Sequence, residues 1–135
     1  RALTSAARPE PQIFILDPPH PEFGQLPPRQ LTRFTHLCYD PVWSPLGDRL
    51  AFVSTEGGND DIYVVGIDGQ DQQRLTLNQW EWDKHPSWSP DGTQIVFWSN
   101  AGTGRRQIWI MDADGQGRRL LHESAYNDWD PVWIK

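Results

Sequence analysis

Three residues with ionisable side chains stand at equivalent places in this chain. Asp40, His85 and Asp130 each precede a proline, and successive members are 45 residues apart. Two carboxylates and an imidazole gathered at one site could bind a cation, because hard cations take oxygen ligands, or could contact a partner. Each side chain could instead cap its own turn before the proline, as aspartate commonly does. No compact metal-ligand spacing accompanies them, so no metal is predicted.

Three tryptophans, Trp80, Trp82 and Trp129, fall just before these positions. Exposed aromatic side chains in a loop can bind a peptide or a sugar through apolar contacts with their rings. The competing interpretation is that they pack locally over the loop. Another set of tryptophans recurs at a single repeat position and is expected to fill space inside the fold: Trp43, Trp88 and Trp133.

The chain offers no arrangement typical of an enzyme. It lacks the Gly-x-Ser-x-Gly motif, so Ser44 and Ser89 are interpreted as turn residues. The single cysteine, Cys38, excludes an intramolecular disulfide framework and a cysteine-rich zinc site. The segment 112–123 half resembles a calcium-binding loop, but Arg119 stands where an apolar residue is expected. We therefore predict no catalytic residue and no cofactor.

The excess of acidic over basic residues limits the classes of partner that this chain is expected to bind. The chain has 12 Lys and Arg against 18 Asp and Glu, a net charge of -6. An acidic chain argues against nucleic acid and favours a basic partner or a cation. The two basic pairs, Arg105-Arg106 and Arg118-Arg119, are interpreted as solvated edges. No apolar run approaches the roughly 20 residues of a membrane helix, so this segment is not expected to insert into a membrane.

The candidate residues belong to a repeat with a period of 45 residues. The segment 40–47 (Asp-Pro-Val-Trp-Ser-Pro-Leu-Gly) recurs at 85–92 (His-Pro-Ser-Trp-Ser-Pro-Asp-Gly) and begins again at 130–133. Each unit holds four short segments rich in β-branched and aromatic residues, which we name strands A to D. In the first complete unit they lie around Trp43, Phe52, Tyr63 and Leu75. Asp-Gly and Ser-Pro-Asp-Gly supply turns between them, so the fold class is all-β.

The order of these motifs resembles a known family. The run Pro-x-Trp-Ser-Pro-x-Gly is followed by an apolar strand ending in Ser, by Ile-Tyr-Val or Ile-Trp-Ile, by Asp-Gly and by Arg-x-Leu-Thr. This order is similar to the TolB-type β-propeller repeat, a relative of the Trp-Asp repeats. The resemblance implies four-stranded antiparallel blades arranged in a six-bladed ring. Leu46 in place of Asp and Leu121 in place of Thr depart from the pattern, each in one copy.

The chain begins and ends within a repeat. Strands B to D are expected in 1–39, complete units in 40–84 and 85–129, and a final strand A in 130–135. The whole chain, 1–135, is therefore interpreted as about three blades, half of a six-bladed ring. Three blades fall below the usual range of propellers. Either the chain is a fragment of a longer propeller, or two copies close the ring through the strand near Trp133.

The resemblance implies a function. We expect a non-enzymatic module that binds a protein or peptide in the cell envelope, and therefore a periplasmic or otherwise extracytoplasmic location. The expected contact surface is the channel mouth and rim, with the Pro-rich loop near Phe23. The contact residues are Asp40, His85, Asp130, Trp80, Trp82 and Trp129. Two alternatives stay open: an accessory propeller of a prolyl oligopeptidase-like peptidase, and an extracytoplasmic sensor segment of a membrane receptor.

Overall fold

The computed structural model describes residues 2–5 and 10–134 of the chain, and its strands form three antiparallel sheets. The first sheet contains β1 (Ala2–Ser5), β2 (Gln12–Ile15) and β3 (Arg29–Gln30), paired in that order. The pairing of β1 with β2 sets Ala2 opposite Ile15 and Ser5 opposite Gln12. This sheet therefore holds strands B, C and D of the repeat and has no strand A among the described residues.

The other two sheets each contain four strands in chain order. The second contains β4 (Cys38–Trp43), β5 (Arg49–Ser54), β6 (Asp61–Gly66) and β7 (Gln73–Arg74). The third contains β8 (Asp83–Trp88), β9 (Gln94–Ser99), β10 (Gln107–Asp112) and β11 (Arg119–His122). The predicted all-β fold of four-stranded blades is confirmed. The described residues include no helix long and apolar enough to cross a membrane.

Two apolar clusters join the three sheets. One lies between the first and second sheets and includes Ile13 and Phe52. The other lies between the second and third sheets and includes Ile62 and Phe97. The middle sheet is thus covered on both faces, which explains why β5 is apolar along nearly its whole length. Trp88 packs in the second cluster as predicted. Trp43 does not, since its side chain is 38% exposed.

The turn between strands A and B shows how the repeat tolerates an irregular residue. In the third sheet the Ser89 hydroxyl donates a 2.6 Å hydrogen bond to Asp91, which also accepts one from the Thr93 amide at 3.0 Å. Leu46 stands in the place of Asp91 in the second sheet. There Ser44 donates instead to Asp48, two positions later, also at 2.6 Å. A carboxylate therefore closes both turns, although it comes from different positions.

The segment after β11 continues the repeat geometry. The amide of Asp128 donates to the carbonyl of Arg106 at 2.8 Å, as the amide of Asp83 does to the carbonyl of Asp60. Asp130 has a positive φ of 36°, close to the 52° of His85 at the equivalent place. Residues 130–134 are not assigned to a strand. They lie where the inner strand after β4 and β8 would begin, beside the third sheet.

Candidate binding site at the start of the inner strands

The three repeated polar residues come together in space. Nδ1 of His85 lies 3.3 Å from Oδ2 of Asp40 and 3.5 Å from Oδ1 of Asp130. The side chains of Asp40, His85 and Asp130 are 35%, 43% and 67% exposed, although Oδ2 of Asp40, which faces His85, is itself buried. We call this group the mouth triad. Its imidazole lies between the two carboxylates, an arrangement that offers a partner both carboxylate acceptors and imidazole nitrogens for hydrogen bonding.

A repeated backbone irregularity positions the triad. Asp40 and His85 have φ values of 51° and 52°. The strand pairing slips between Tyr39 and Val42, and again between Lys84 and Ser87. Positive φ is uncommon outside glycine, and aspartate and histidine tolerate it better than most residues. The bulge interrupts the regular alternation of side chains in the strand and re-aims one of them. The same bulge recurs in β4 and β8, and Asp130 has a positive φ at the equivalent place, so the three side chains converge.

A groove runs between the inner strands next to the triad. It has a volume of about 450 Å³ and contains the residues that follow the triad in each repeat. Its wall is apolar and aromatic, and its lining includes Pro41, Trp43, Pro45, Trp88, Pro90 and Trp133. Trp88 is held in place by a hydrogen bond from its indole nitrogen to the carbonyl of Val42, at 3.3 Å. The groove therefore joins a polar mouth to an aromatic wall.

The predicted rim tryptophans are exposed, and two of them contact cations. Trp80, Trp82 and Trp129 are 83%, 48% and 61% exposed. The ammonium group of Lys84 lies 5.6 Å from the ring centre of Trp82. The guanidinium carbon of Arg106 lies 3.9 Å from the ring centre of Trp129. Such cation–π contacts hold the rings in defined orientations while leaving much of their surface open.

A buried tryptophan that the sequence did not single out connects these groups. Trp98 is 4% exposed, and three side chains of the site lie over or beside its ring. Arg106 lies 5.2 Å from the ring centre, Lys84 lies 5.9 Å away, and the imidazole of His85 stacks at 6.1 Å. Trp98 belongs to the apolar run of β9, so the sequence pattern predicts only that it is a buried residue within a strand. No sequence signal distinguishes it from the aligned Val53.

The two basic pairs are only half solvated, contrary to expectation. In each pair one arginine is exposed, Arg105 or Arg119, and the other is half-buried. Arg118 approaches the buried carboxylate of Asp83 at 3.4 Å, and Arg106 contacts the two indole rings. The interpretation as solvated edges is therefore wrong for one member of each pair. Where the chain enters a strand, successive side chains point to opposite faces, so one arginine of each pair turns towards the sheet interior.

Two buried carboxylates, on Asp61 and Asp83, form a hydrogen-bond network in the protein interior next to the strand that carries His85. Asp61 accepts from Arg74 Nη2 at 2.6 Å and from Thr76 Oγ1 at 3.1 Å. Asp83 accepts from Asn78 and from Arg118. Burial raises the pKa of both carboxyl groups, even though each has an arginine partner. Because Asp83 opens β8 two residues before His85, this network fixes the backbone that carries the mouth triad.

Other predicted features lie apart from the mouth triad or form local structure. Phe23 stacks on His20 at 4.8 Å within the Pro-rich loop and is largely exposed. The segment around Asp114-Gly115 forms the turn between β10 and β11, as predicted for the Asp-Gly pairs of the repeat. Cys38 is buried, and burial raises the pKa of its thiol.

Within the described ranges no group of three or more His, Cys, Asp or Glu side chains has a geometry that could hold a metal ion.

The chain is similar to several known proteins. It is 37% identical over 89 residues to an uncharacterized protein of Agrobacterium fabrum, which covers 66% of this chain and 30% of that protein. It is 38% identical over 78 residues to the Tol-Pal system protein TolB of Rhizorhabdus wittichii, covering 57% of this chain and 17% of the relative. The chain therefore spans less than a third of the length of these curated relatives.

Solved structures show the same fold. The structure of a TolB candidate from Agrobacterium tumefaciens superposes with a TM-score of 0.78 at 30% identity, covering 96% of this chain and 44% of the other. A puromycin-hydrolysing peptidase of Mycobacterium tuberculosis superposes with a TM-score of 0.71 at 18% identity, covering 95% of this chain and 21% of the peptidase. The second likeness concerns the fold alone. The model of the TolB beta propeller domain matches residues 4–134. The chain belongs to the TolB beta propeller domain family.

Proposed function

We propose that this chain is a non-enzymatic interaction module that binds an extended segment of another protein at the mouth triad. The observation that carries the proposal is the convergence of Asp40, His85 and Asp130, which come from three successive repeats. Exposed rim tryptophans next to them supply rigid apolar surface, and aromatic side chains dominate the binding energy of many interfaces. The adjacent groove could receive the apolar side chains of the same segment.

The names of the relatives extend this proposal to a location. Two curated relatives are named as TolB of the Tol-Pal system, one from Rhizorhabdus wittichii and one from Geobacter sulfurreducens. We assign this chain, by family membership, to an extracytoplasmic setting such as the periplasm. A fusion to a reporter enzyme that is active only outside the cytoplasm tests the assignment in the host of the full-length protein. Activity of the reporter supports it, and an inactive reporter on a stable fusion contradicts it.

We further propose that residues 130–134 supply the inner strand of a blade whose other strands come from a second copy. The first sheet lacks a strand A among the described residues, and the terminal segment lacks strands B to D. Trp133 of this segment lines the groove together with Trp43 and Trp88 of the neighbouring inner strands. A mass in solution of twice 15.6 kDa supports closure by a second copy. A monomer at micromolar concentration contradicts it and leaves closure to further repeats of a longer protein.

An accessory role in a peptidase is the second candidate. It is suggested by the fact that the puromycin-hydrolysing peptidase contains a domain of this fold, which this chain matches over about a fifth of that protein. In that case a hydrolase domain belongs to the same polypeptide, and this chain gates access to it. The sequence of the full-length product decides between the two candidates. A hydrolase domain in that product would displace the interaction module as the leading function.

Peptide selection tests the leading proposal directly. A displayed library of random dodecapeptides is selected on the immobilised 135-residue chain, and the affinities of the selected peptides are measured by calorimetry. We expect the variant His85→Ala to lose about tenfold or more in affinity, as for a central contact residue. The matched control is His122→Ala, which removes an exposed imidazole from β11. The absence of any selected binder, or equal loss in both variants, would overturn the proposal.

A further inference from the structure

Arg106 differs from the other half-buried arginines of the described chain. Arg49, Arg74 and Arg118 each lie within 3.4 Å of a carboxylate oxygen, on Asp48, Asp61 and Asp83 respectively. Among the residues that the structure describes, none accepts a hydrogen bond from the Arg106 guanidinium, and no carboxylate is paired with it. None of the Arg106 nitrogens is among the buried unpaired polar atoms of the described residues, so its guanidinium keeps accessible N–H donors without an ionic partner.

Two indole rings hold this guanidinium in place. The exposed ring centre of Trp129 lies 3.9 Å from its central carbon, and the buried ring centre of Trp98 lies 5.2 Å away. Stacking on aromatic faces orients the planar group while its N–H donors, which lie along the edge, stay available. The backbone of Arg106 is also fixed, since its amide donates to Asn127 and its carbonyl accepts from Asp128.

The position of Arg106 connects it to the mouth triad. Trp98 contacts both the guanidinium of Arg106 and the imidazole of His85, so a segment seated on His85 passes close to Arg106. Lys84 lies on the same ring but is already neutralised by Asp60 at 3.1 Å. Of the two cations that lie over the ring of Trp98, Arg106 is therefore the one without an ionic partner.

We propose that Arg106 binds a carboxylate of the segment that occupies the mouth triad. This inference rests on the proposed function and specifies its partner, a peptide with an acidic residue a few positions from the part that contacts His85. An arginine can bind a carboxylate through two parallel hydrogen bonds, which gives strength and orientation together. Trp129 shields the pair on one side. The net charge of -6 favours a basic partner when the whole surface is considered. At this one position, however, the positive charge of Arg106 favours an acidic side chain of the bound segment.

The test uses peptides selected on the unmodified 135-residue chain. We expect their sequences to be enriched in Asp or Glu relative to the starting library. The tightest acidic binder is then compared with an analogue in which its acidic residue is replaced by the corresponding amide. We expect the analogue to bind about tenfold more weakly, as for a lost charge-assisted hydrogen-bond pair. This comparison needs no protein variant.

A double-mutant cycle then locates the contact. In Arg106→Gln the difference between the acidic peptide and its amide analogue should disappear, whereas in the matched variant Arg105→Gln it should persist, because Arg105 is exposed. Selected peptides without acidic enrichment, or an Arg106→Gln variant that still discriminates the two peptides, would overturn the inference while leaving the proposed function intact. A selection that yields no binder would overturn the proposed function, and the inference with it.

Discussion

The imidazole of His85 lies 3.3 Å from the carboxylate of Asp40, although the two residues are one full repeat apart in the chain. Both have a left-handed backbone conformation, with φ values of 52° and 51°. Residues in sparsely populated backbone regions persist when the surrounding structure determines them, and they cluster at ligand sites. The repeat therefore builds one polar mouth from a backbone irregularity that recurs at Asp40, His85 and Asp130.

The left-handed conformation leads to a first prediction. His85→Val should lower the free energy of unfolding by about 1–2 kcal/mol, because a β-branched residue is strongly disfavoured at positive φ. His85→Gly removes the same imidazole but adopts the conformation freely, so it should be clearly more stable than His85→Val. Urea denaturation measures both. Equal stability of the two variants would show that the backbone strain is absent.

The irregular turn leads to a second prediction. Asp48→Thr should destabilise the chain by less than about 1 kcal/mol, because Ser44 loses its carboxylate acceptor at an exposed turn. Adding Leu46→Asp should restore stability, since it recreates the turn in which Asp91 accepts from Ser89. Thermal unfolding of the single and double variants measures the effect. A double variant less stable than the single one contradicts this account of the turn.

The buried carboxylate of Asp83 leads to a prediction about pH. Burial raises the pKa of this group in the folded chain above its unfolded value near 3.8. The folded state therefore holds the proton more tightly, and the contribution of Asp83 to stability falls as the pH rises from about 3.8 through the folded pKa. The stability difference between the unmodified chain and Asp83→Asn should decrease over that interval.

The control for this pH dependence is Asp91→Asn. The hydrogen bond from the Ser89 hydroxyl is the main cause that lowers the pKa of Asp91 to about 2. The contribution of Asp91 to stability should therefore depend on pH in the opposite direction. It is fully present above about pH 3.8 and is lost as the pH falls towards 2. Denaturant titrations between pH 2 and 7 compare the two variants. If the difference for Asp83→Asn grows with pH, the ion pair with Arg118 outweighs burial.

The rim tryptophans lead to a prediction about binding. Trp82→Ala and Trp129→Ala should each weaken selected peptides by about fivefold or more, with little change in the melting temperature, because both rings are largely exposed. The exposed Trp80 has no cation over its ring among the described contacts, so Trp80→Ala should have the smallest effect of the three. Unchanged affinity in both Trp82→Ala and Trp129→Ala would exclude the rim as the contact surface.

The sequence alone predicts much of this arrangement because the repeat fixes equivalent positions. Asp40, His85 and Asp130 could be grouped from their spacing, since the inner strands of neighbouring blades lie side by side. The blades themselves follow from apolar runs and turn residues. These features depend on local pattern, which a repeated sequence presents several times over.

Features that break the repeat could not be predicted in the same way. Nothing in the pair Arg105-Arg106 indicates which side chain turns inward, because that depends on how the strand enters the third sheet. The shift of the turn carboxylate from the position of Asp91 to Asp48 is likewise visible only from the contact with Ser44. Trp98 looks like an ordinary strand residue, and its role depends on neighbours from two other segments, β8 and the chain just before β10.

The central claim is that a protein segment binds at the mouth triad, and the position of a bound peptide tests it most directly. A peptide selected on the chain is spin-labelled, and paramagnetic broadening of assigned backbone amides is measured by NMR. We predict the strongest broadening at Asp40, His85 and Asp130, with weaker effects at Trp82 and Trp129. Broadening centred elsewhere, for example on the Pro-rich loop around Phe23, would contradict the account.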